Sequence, residues 1–174
     1  MGICFGMCLM LHKTEIKNFL PNPDKIRQEA LTCKFSDMHA YDGEVYKRVV
    51  VKDIPGLTEA VEKIMGPVLM LGMGYRLNYN GELPNHARHI DVDWGTHALV
   101  LYLSDGHLED TGTAFWSSLD EDAEMVGLCH EEFGKAVIYR SDQPHSRWPL
   151  EAYGDSPETG RLIAVAFFTP FSEM

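Results

Sequence analysis

The order of hydrophobic and polar residues changes its period near residue 67. Between residues 57 and 65 the apolar side chains recur at i, i+3, i+4, i+7 and i+8, at Leu57, Ala60, Val61, Ile64 and Met65. This spacing predicts an amphipathic helix, and the pair Gly66 and Pro67 predicts where it ends.

An earlier and shorter helix is predicted after Pro21. Asn22 is suited to cap a helix and Pro23 to its first turn, and the apolar stripe is formed by Ile26, Ala30 and Leu31. Extended segments are predicted at 13–20 and 45–51. Both helices are expected to cover one side of a sheet with their apolar faces.

From Val68 onward the apolar residues alternate instead. Tyr75, Leu77 and Tyr79 alternate with Arg76 and Asn78, and further apolar runs occupy 97–103, 113–117, 135–140 and 161–169. Several short strands with turns between them predict a mainly β (α+β) protein built as an antiparallel sandwich or barrel. We expect a single domain over residues 1–174, with N-terminal strands and helices in 1–66 and the β core in 67–170.

Composition adds an argument about partners. The formal net charge is −11, with 45% hydrophobic and 24% charged residues. These proportions are typical of a globular protein, and the acidic total disfavours a nucleic-acid partner, which normally requires a basic patch. The acidic balance favours a cationic or neutral partner, such as a protein side chain, an amino acid or a small metabolite. No feature indicates the oligomeric state.

The cysteines and the N-terminus indicate a cytoplasmic protein. Four scattered cysteines, Cys4, Cys8, Cys33 and Cys129, are too few for a disulfide framework, so reduced thiols are expected. The apolar segment 1–11 is too short to span a bilayer and lacks a preceding basic region. We expect an N-terminal strand or a disordered tail there, and no membrane association.

The longest connection, 118–134, is rich in acidic residues. It contains Asp120, Glu121, Asp122, Glu124, Glu131 and Glu132. A charged run of this kind is expected to be a solvated loop or short helix. The alternative is a lid that selects a cationic substrate.

The candidate chemistry starts at residues 88–93, Arg-His-Ile-Asp-Val-Asp. On an extended strand, His89 and Asp91 project from the same face and can reach one metal ion. A His-x-acid pair alone is weak, since His107 with Glu109 and His130 with Glu132 are chemically similar. Those two pairs fall in predicted loops. Trp94 and Gly95 predict a turn beginning there, so Asp91 is the expected ligand and Asp93 a neighbour.

Residues further along the chain complete the pattern. His145 follows His89 by 56 positions, and Arg161 follows His145 by 16. Two histidines and one carboxylate form the facial triad of non-haem Fe(II) oxygenases, which leaves the opposite face of the metal open. An arginine near such a site can hold a carboxylate through two hydrogen bonds.

With these residues in place, the sequence resembles the 2-oxoglutarate- and Fe(II)-dependent dioxygenases, and within them the prolyl-4-hydroxylase-like branch. The resemblance covers residues 75–169. It rests on Tyr79 ten residues before His89, on Arg-His-Ile-Asp at 88–91, on Leu-Tyr-Leu-Ser at 101–104, on Tyr-Arg-Ser-Asp-Gln-Pro-His at 139–145 and on Arg-Leu-Ile-Ala-Val-Ala-Phe-Phe at 161–168. It implies a double-stranded β-helix (a jelly-roll or cupin-like barrel) with the N-terminal helices packed on one sheet.

The resemblance also implies a role for each matching residue. His89, Asp91 and His145 would bind Fe(II), and Arg161 would pair with the distal carboxylate of 2-oxoglutarate. Tyr79 and Tyr102 would contact this cosubstrate. The interval from His145 to Arg161 is longer than in many members of the family, which leaves Arg147 and Arg140 as alternatives to Arg161.

The implied activity is hydroxylation of a C–H bond in a protein side chain or small metabolite, using O₂ and releasing succinate and CO₂. Asp91 favours hydroxylation or a derived oxidation, because related halogenases lack this carboxylate so that chloride can bind the iron. Two alternatives stay open. One is a cupin-like metal-binding oxygenase or isomerase that does not use 2-oxoglutarate, and the other is a non-catalytic sandwich.

Overall fold

The computed structural model describes residues 11–39, 43–83, 87–105 and 109–174. These ranges contain ten β-strands and two α-helices. In chain order they are β1 Lys13–Ile16, α1 Pro23–Leu31, β2 Ser36–His39, β3 Val45–Val51, α2 Leu57–Met65, β4 Val68–Asn78, β5 His97–Tyr102, β6 Gly112–Trp116, β7 Met125–His130, β8 Ala136–Arg140, β9 His145–Trp148 and β10 Arg161–Pro170. The expectations for the segment 1–10, including Cys4 and Cys8, lie outside the described residues.

The strands form two antiparallel sheets. The larger has seven strands in the order β1-β8-β5-β10-β4-β3-β2, and the smaller has three in the order β7-β6-β9. The prediction of a mainly β protein with antiparallel sheets and two helices is confirmed. Within the described ranges the hydrogen-bonded ladders stay in two separate sheets and do not close into one barrel.

The two helices pack on the outer face of the seven-stranded sheet. Leu57 and Val61 of α2 are fully buried there, together with Ala30 of α1. They belong to one apolar cluster with side chains of β4, β5, β8 and β10, among them Tyr75, Leu77, Leu99, Leu101, Ile138, Leu162 and Ala164. Helices therefore cover one side of the sheet, as the spacing of their apolar residues predicts.

A second apolar cluster lies between the two sheets. Tyr102, Val137 and Ile163 of the large sheet meet Phe115 and Cys129 of the small sheet. Successive side chains of a strand point to opposite faces, so β10 sends Leu162 and Ala164 toward the helices and Ile163 toward the small sheet. The large sheet is thus buried on both faces. Polar residues on its inner face, between the sheets, therefore indicate a candidate functional site.

Four segments of the structure differ from the sequence-based prediction. The strand predicted over 13–20 ends at Ile16, and β2 and β9 were not anticipated. Within the connection 118–134, which predicted a loop or short helix, residues 125–130 form β7 and pair with β6. The charges cluster before this strand, and its Cys129 is buried against Tyr102, so tertiary packing extends a segment whose overall composition suggests a loop.

Each described α-helix has nine residues. Among the described residues, no helix has the length and hydropathy needed to cross a membrane.

Candidate metal centre

His89, Asp91 and His145 come together in the folded chain. One potential ligand atom of each lies within 4.8 Å of the others. Nε2 of His145 is 3.1 Å from Oδ2 of Asp91, and Nε2 of His89 is 3.8 Å from Oδ1 of the same carboxylate. The two imidazole rings are tilted by 57°, with centroids 4.3 Å apart. This is the one group of three such residues in the described ranges.

Backbone hydrogen bonds fix the three residues relative to each other. His89 and His145 form an isolated antiparallel bridge in which each N–H donates to the other's carbonyl at 3.0 Å. The N–H of Asp91 donates to the carbonyl of Ser141 at 2.8 Å. His145 opens β9 of the small sheet and positions His89 through the bridge, whereas Asp91 is held by Ser141, which directly follows β8 of the large sheet.

The local backbone corrects the prediction of a strand over 88–93. His89 takes part in a single bridge, and a short 3-10 turn, Val92–Trp94, follows Asp91 at once. The N–H of Trp94 donates to the carbonyl of Asp91 at 2.9 Å, which turns the chain away. The turn begins two residues earlier than Trp94 and Gly95 predict. Asp93 consequently lines the same cavity without joining the cluster.

The protonation states suit metal binding. Nδ1 of His145 lies 2.9 Å from the carbonyl oxygen of Gln143, to which an Nδ1–H can donate, and Nε2 is the ring nitrogen that lies beside Asp91. Desolvation by burial, reinforced by the neighbouring His145, lowers the pKa of His89 to about 4. For Asp91, burial alone would raise the pKa, but the hydrogen bond and charge of His145, with His89 and Arg76, hold it below its usual value.

At neutral pH the imidazole of His89 is therefore neutral and the carboxyl group of Asp91 is ionised, so neither has to lose a proton before it binds a metal ion. Adjacent ligands about 2.1 Å from a metal ion are separated by about 3 Å, a spacing that Asp91 and His145 already have. A small rotation of the partly exposed His89 would bring its Nε2 to the same spacing. Two nitrogen donors and one oxygen donor fit a divalent transition metal such as Fe(II).

The cluster lies in a cavity of about 840 Å³ between the sheets, a size typical of small-molecule sites. Its wall includes the polar residues Glu44, Arg76, Asn78, Thr113, Arg147 and Arg161. The mouth carries exposed Trp94 and Leu119. The cavity thus joins the candidate metal cluster to several arginines, of which Arg161 is buried and Arg76 and Arg147 are partly buried.

Arg161 is deeply buried and lines this cavity. Its Nη2 donates to the carbonyl of Gly112 at 3.3 Å, and its Nε lies 3.8 Å from Oε2 of Glu131, both atoms of that pair lacking a hydrogen-bond partner in the described residues. Glu131 is itself fixed by the hydroxyl of Tyr153, which donates to it at 2.7 Å. The contacts with Gly112 and Glu131 thus orient the guanidinium group of Arg161.

The alternatives to Arg161 separate clearly. Arg147, on β9, lines the same cavity, and its Nε donates to the carbonyl of Leu150 at 2.6 Å. Arg140 lies outside the cavity, where its Nη1 donates to Glu173 at 3.0 Å. Two of the three candidate arginines therefore share the cavity with His89, Asp91 and His145.

The two tyrosines fall on opposite faces of the large sheet. Tyr79 packs against the helix-side cluster and under the guanidinium of Arg48, 4.0 Å from its ring centre, so it does not line the cavity. Tyr102 is fully buried between the sheets, and its hydroxyl lies 2.8 Å from Oγ1 of Thr113 and 3.2 Å from the carbonyl of Cys129. Thr113 lines the cavity and Tyr102 does not, so Tyr102 contacts the cavity wall only through Thr113.

Sequence reasoning missed Arg76, Asn78 and Glu131. The alternation of period two already contains the signal for the first two: Tyr75 and Leu77 face the helices, so the intervening Arg76 and Asn78 face the other sheet. No comparable signal marks Glu131 in its acidic segment. Of the rival pairs, His107 lies outside the described residues, and His130 is exposed at the end of β7.

Comparison with known proteins supports the fold. No protein-family model matches the chain, and no curated protein matches it. Solved structures do match, at low sequence identity. The non-heme alpha ketoglutarate dependent epimerase SnoN from nogalamycin biosynthesis has a TM-score of 0.63 and 15% identity, over 91% of this chain and 76% of that one.

Two further structures agree. A Pseudomonas putida prolyl-4-hydroxylase has a TM-score of 0.57 and 19% identity, over 91% of this chain and 92% of that one. The non-heme alpha ketoglutarate dependent carbocyclase SnoK from nogalamycin biosynthesis has a TM-score of 0.63 and 13% identity, over 91% and 79%. This chain therefore has the fold of these enzymes.

Proposed function

We propose that this protein is an Fe(II)- and 2-oxoglutarate-dependent dioxygenase. The observation that carries the proposal is the convergence of His89, Asp91, His145 and Arg161 on one cavity. A facial triad with an arginine nearby fits a metal ion and a dicarboxylate together. The fold shared with structures described as alpha ketoglutarate dependent supports the same assignment.

In this proposal the metal ion and the cosubstrate are bound by different residues. His89, Asp91 and His145 would hold the iron on one face and leave the other open. Bound iron chelated by 2-oxoglutarate supplies the activation of O₂ for oxidation of a C–H bond, with release of succinate and CO₂. Arg161, which Glu131 and Gly112 orient, would bind the distal carboxylate of 2-oxoglutarate and so set the orientation of this cosubstrate.

We propose hydroxylation as the reaction outcome, of a C–H bond in a small metabolite or a protein side chain. As an iron ligand, Asp91 would take the coordination position that chloride takes in related halogenases, which supports oxygen transfer over halogenation. Structures of the same fold are described as an epimerase, a carbocyclase and a prolyl-4-hydroxylase. Product analysis distinguishes these outcomes, because hydroxylation adds one oxygen atom to the substrate, whereas epimerisation leaves its mass unchanged.

The finer structural assignment follows the same proposal. Two facing antiparallel sheets with helices on the larger one support a double-stranded β-helix of the jelly-roll type. Within that class we assign the chain to the prolyl-4-hydroxylase-like branch, on the sequence pieces around Tyr79, His89 and His145. The similarity to the Pseudomonas putida enzyme supports this placement.

Anaerobic titration of the purified protein with Fe(II) and then 2-oxoglutarate tests the proposal. We expect one equivalent of Fe(II) to bind, and 2-oxoglutarate to produce a visible charge-transfer band. Metal binding without the band would favour the cupin-like alternative that does not use 2-oxoglutarate. Binding of neither ligand would refute an iron-dependent function.

A further inference from the structure

Four arginines line the cavity. The guanidinium of Arg88 donates to the backbone carbonyls of Asp120 and Glu121, whereas the other three guanidinium groups come from three different strands. Arg76 lies on β4, Arg147 on β9 and Arg161 on β10. Burial and then the charge of Arg161 lower the pKa of Arg76, while burial and the charges of Arg76 and Arg161 lower the pKa of Arg147 to about 10. The three groups are therefore close enough to repel, and bound anions would relieve that repulsion.

Buried donors at this wall lack acceptors. Nε of Arg76, Nδ2 of Asn78 and Nη2 of Arg147 are buried and have no hydrogen-bond partner among the described residues. Asn78 is only 2% exposed. A buried N–H without an acceptor is unfavourable, whereas an anion could accept from several of these donors at once.

The acidic groups of the cavity offset these charges only in part. Asp91 belongs to the metal cluster, and Asp93 is exposed at the surface. Glu44 is buried in the cavity wall, and its charge acts on Arg76. The charges of Asp91 and Glu44 thus act on Arg76, and the carboxylate that acts on Arg147 is Glu151, which lies outside the cavity lining.

The same residues border a second, smaller cavity of about 270 Å³. Glu44, Arg76, Asn78 and Arg147 line both cavities. The other charged residues of the smaller cavity are already paired, Lys47 with Asp37 at 2.8 Å and Glu82 with Arg48. The unsatisfied donors therefore lie at the boundary between the two spaces.

We propose that Arg76, Asn78 and Arg147 form an anion subsite that binds a carboxylate or phosphate group of a small-molecule substrate. The inference rests on the proposed function: with the distal carboxylate of 2-oxoglutarate on Arg161, the acceptor for the remaining donors comes from a second molecule. The net charge of −11 favours a cationic or neutral partner. The local cation cluster reverses that expectation, because a buried site responds to nearby charges more than to the total.

Calorimetric titration of the protein loaded anaerobically with Fe(II) and 2-oxoglutarate tests the subsite. Acetate and methyl phosphate are the probes, and tetramethylammonium chloride at equal ionic strength is the control. At least one anionic probe is expected to bind saturably. Arg76→Gln and Arg147→Gln should each weaken this binding by about tenfold or more, since each removes a charge-assisted donor.

Matched variants separate the subsite from the cosubstrate site. Arg140→Gln removes an arginine outside the cavity and should leave probe binding unchanged, and Arg147→Lys should retain part of it because it keeps the charge. 2-Oxoglutarate affinity, followed through the visible band, should fall in Arg161→Gln and persist in Arg76→Gln and Arg147→Gln. Circular dichroism checks that each variant is folded.

The proposal is overturned if neither anion binds the parent complex, if the anions displace 2-oxoglutarate, or if binding is insensitive to Arg76 and Arg147. Failure of the proposed function gives a different result: Fe(II) and 2-oxoglutarate do not bind, whereas an anion probe still binds the metal-free protein in an Arg147-dependent manner.

Discussion

His89 and His145 are joined by two reciprocal backbone hydrogen bonds of 3.0 Å, although 55 residues separate them in the chain. This bridge links a segment with little regular structure to the first residue of β9. The geometry of the candidate metal centre is therefore a property of the backbone as well as of the side chains. Substitution of a ligand side chain should alter metal binding while leaving the bridge in place.

Asp91→Ala should weaken Fe(II) binding by at least about a hundredfold, because loss of a direct ligand is expected to cost at least as much as loss of a group that only orients one. Coupled oxidation of substrate should be abolished. Asp93→Ala is the matched control: Asp93 lines the cavity but stands outside the cluster, so Fe(II) affinity should match that of the parent. Equal affinities in both variants would contradict the assignment of Asp91.

Tyr102→Phe should lower the free energy of unfolding by about 1–3 kcal/mol, because it leaves Thr113 and the carbonyl of Cys129 without a buried partner. Tyr79→Phe should change it by less than about 0.5 kcal/mol, since Tyr79 is partly exposed. Urea unfolding of the two variants measures this contrast. A larger loss in Tyr79→Phe than in Tyr102→Phe would show that the hydroxyl contacts of Tyr102 contribute little.

Gly74 and Gly72 on β4 offer a test of strand packing. A Cβ at position 74 would lie within 2.1 Å of the carbonyl oxygen of Val50, whereas one at position 72 would meet nothing within 4 Å. Gly74→Ala should therefore disrupt the pairing of β3 with β4, the strand that carries Arg76 and Asn78. Gly72→Ala should be neutral or stabilising by up to about 1 kcal/mol. Thermal unfolding separates the two, and equal Tm values would contradict the close approach.

The pH dependence of stability should report on His89. Its pKa is lowered from 6.5 to about 4 in the folded protein, so the unfolded chain binds more protons between these values. The metal-free protein should accordingly lose stability as the pH falls from about 6.5 toward 4. Urea unfolding at pH 7 and pH 5, with a chelator present, measures the loss. It should be smaller in His89→Gln, and an unchanged loss would assign the effect to other groups.

The sequence predicted the two helices, most of the strands and the set of candidate ligands. Helical spacing in α2 and alternation in β4 are local patterns, and burial of one face makes them visible along the chain. The same alternation also predicts that Tyr79 lies on the opposite face of the sheet from Arg76 and Asn78. The resemblance assigned Tyr79 to the cosubstrate, yet its position on the helix-facing side follows from counting residues after Tyr75.

Other features depended on contacts between distant segments. His89 and Asp91 were expected on a strand, but they are held by His145 and Ser141, partners that no local pattern identifies. β7 forms within an acidic segment because β6 offers it a pairing edge. The pairing of Glu131 with Arg161 likewise joins residues 30 positions apart.

By itself, then, the sequence determined which residues could bind a metal and a carboxylate, because ligand chemistry resides in the side chains. Tertiary structure alone decided that Arg76 and Arg147 join Arg161 in one cavity, while Arg140 stays outside it. The reason is physical: which arginines share a buried space depends on strand order and on the packing of two sheets, and neither leaves a periodic signal in the chain.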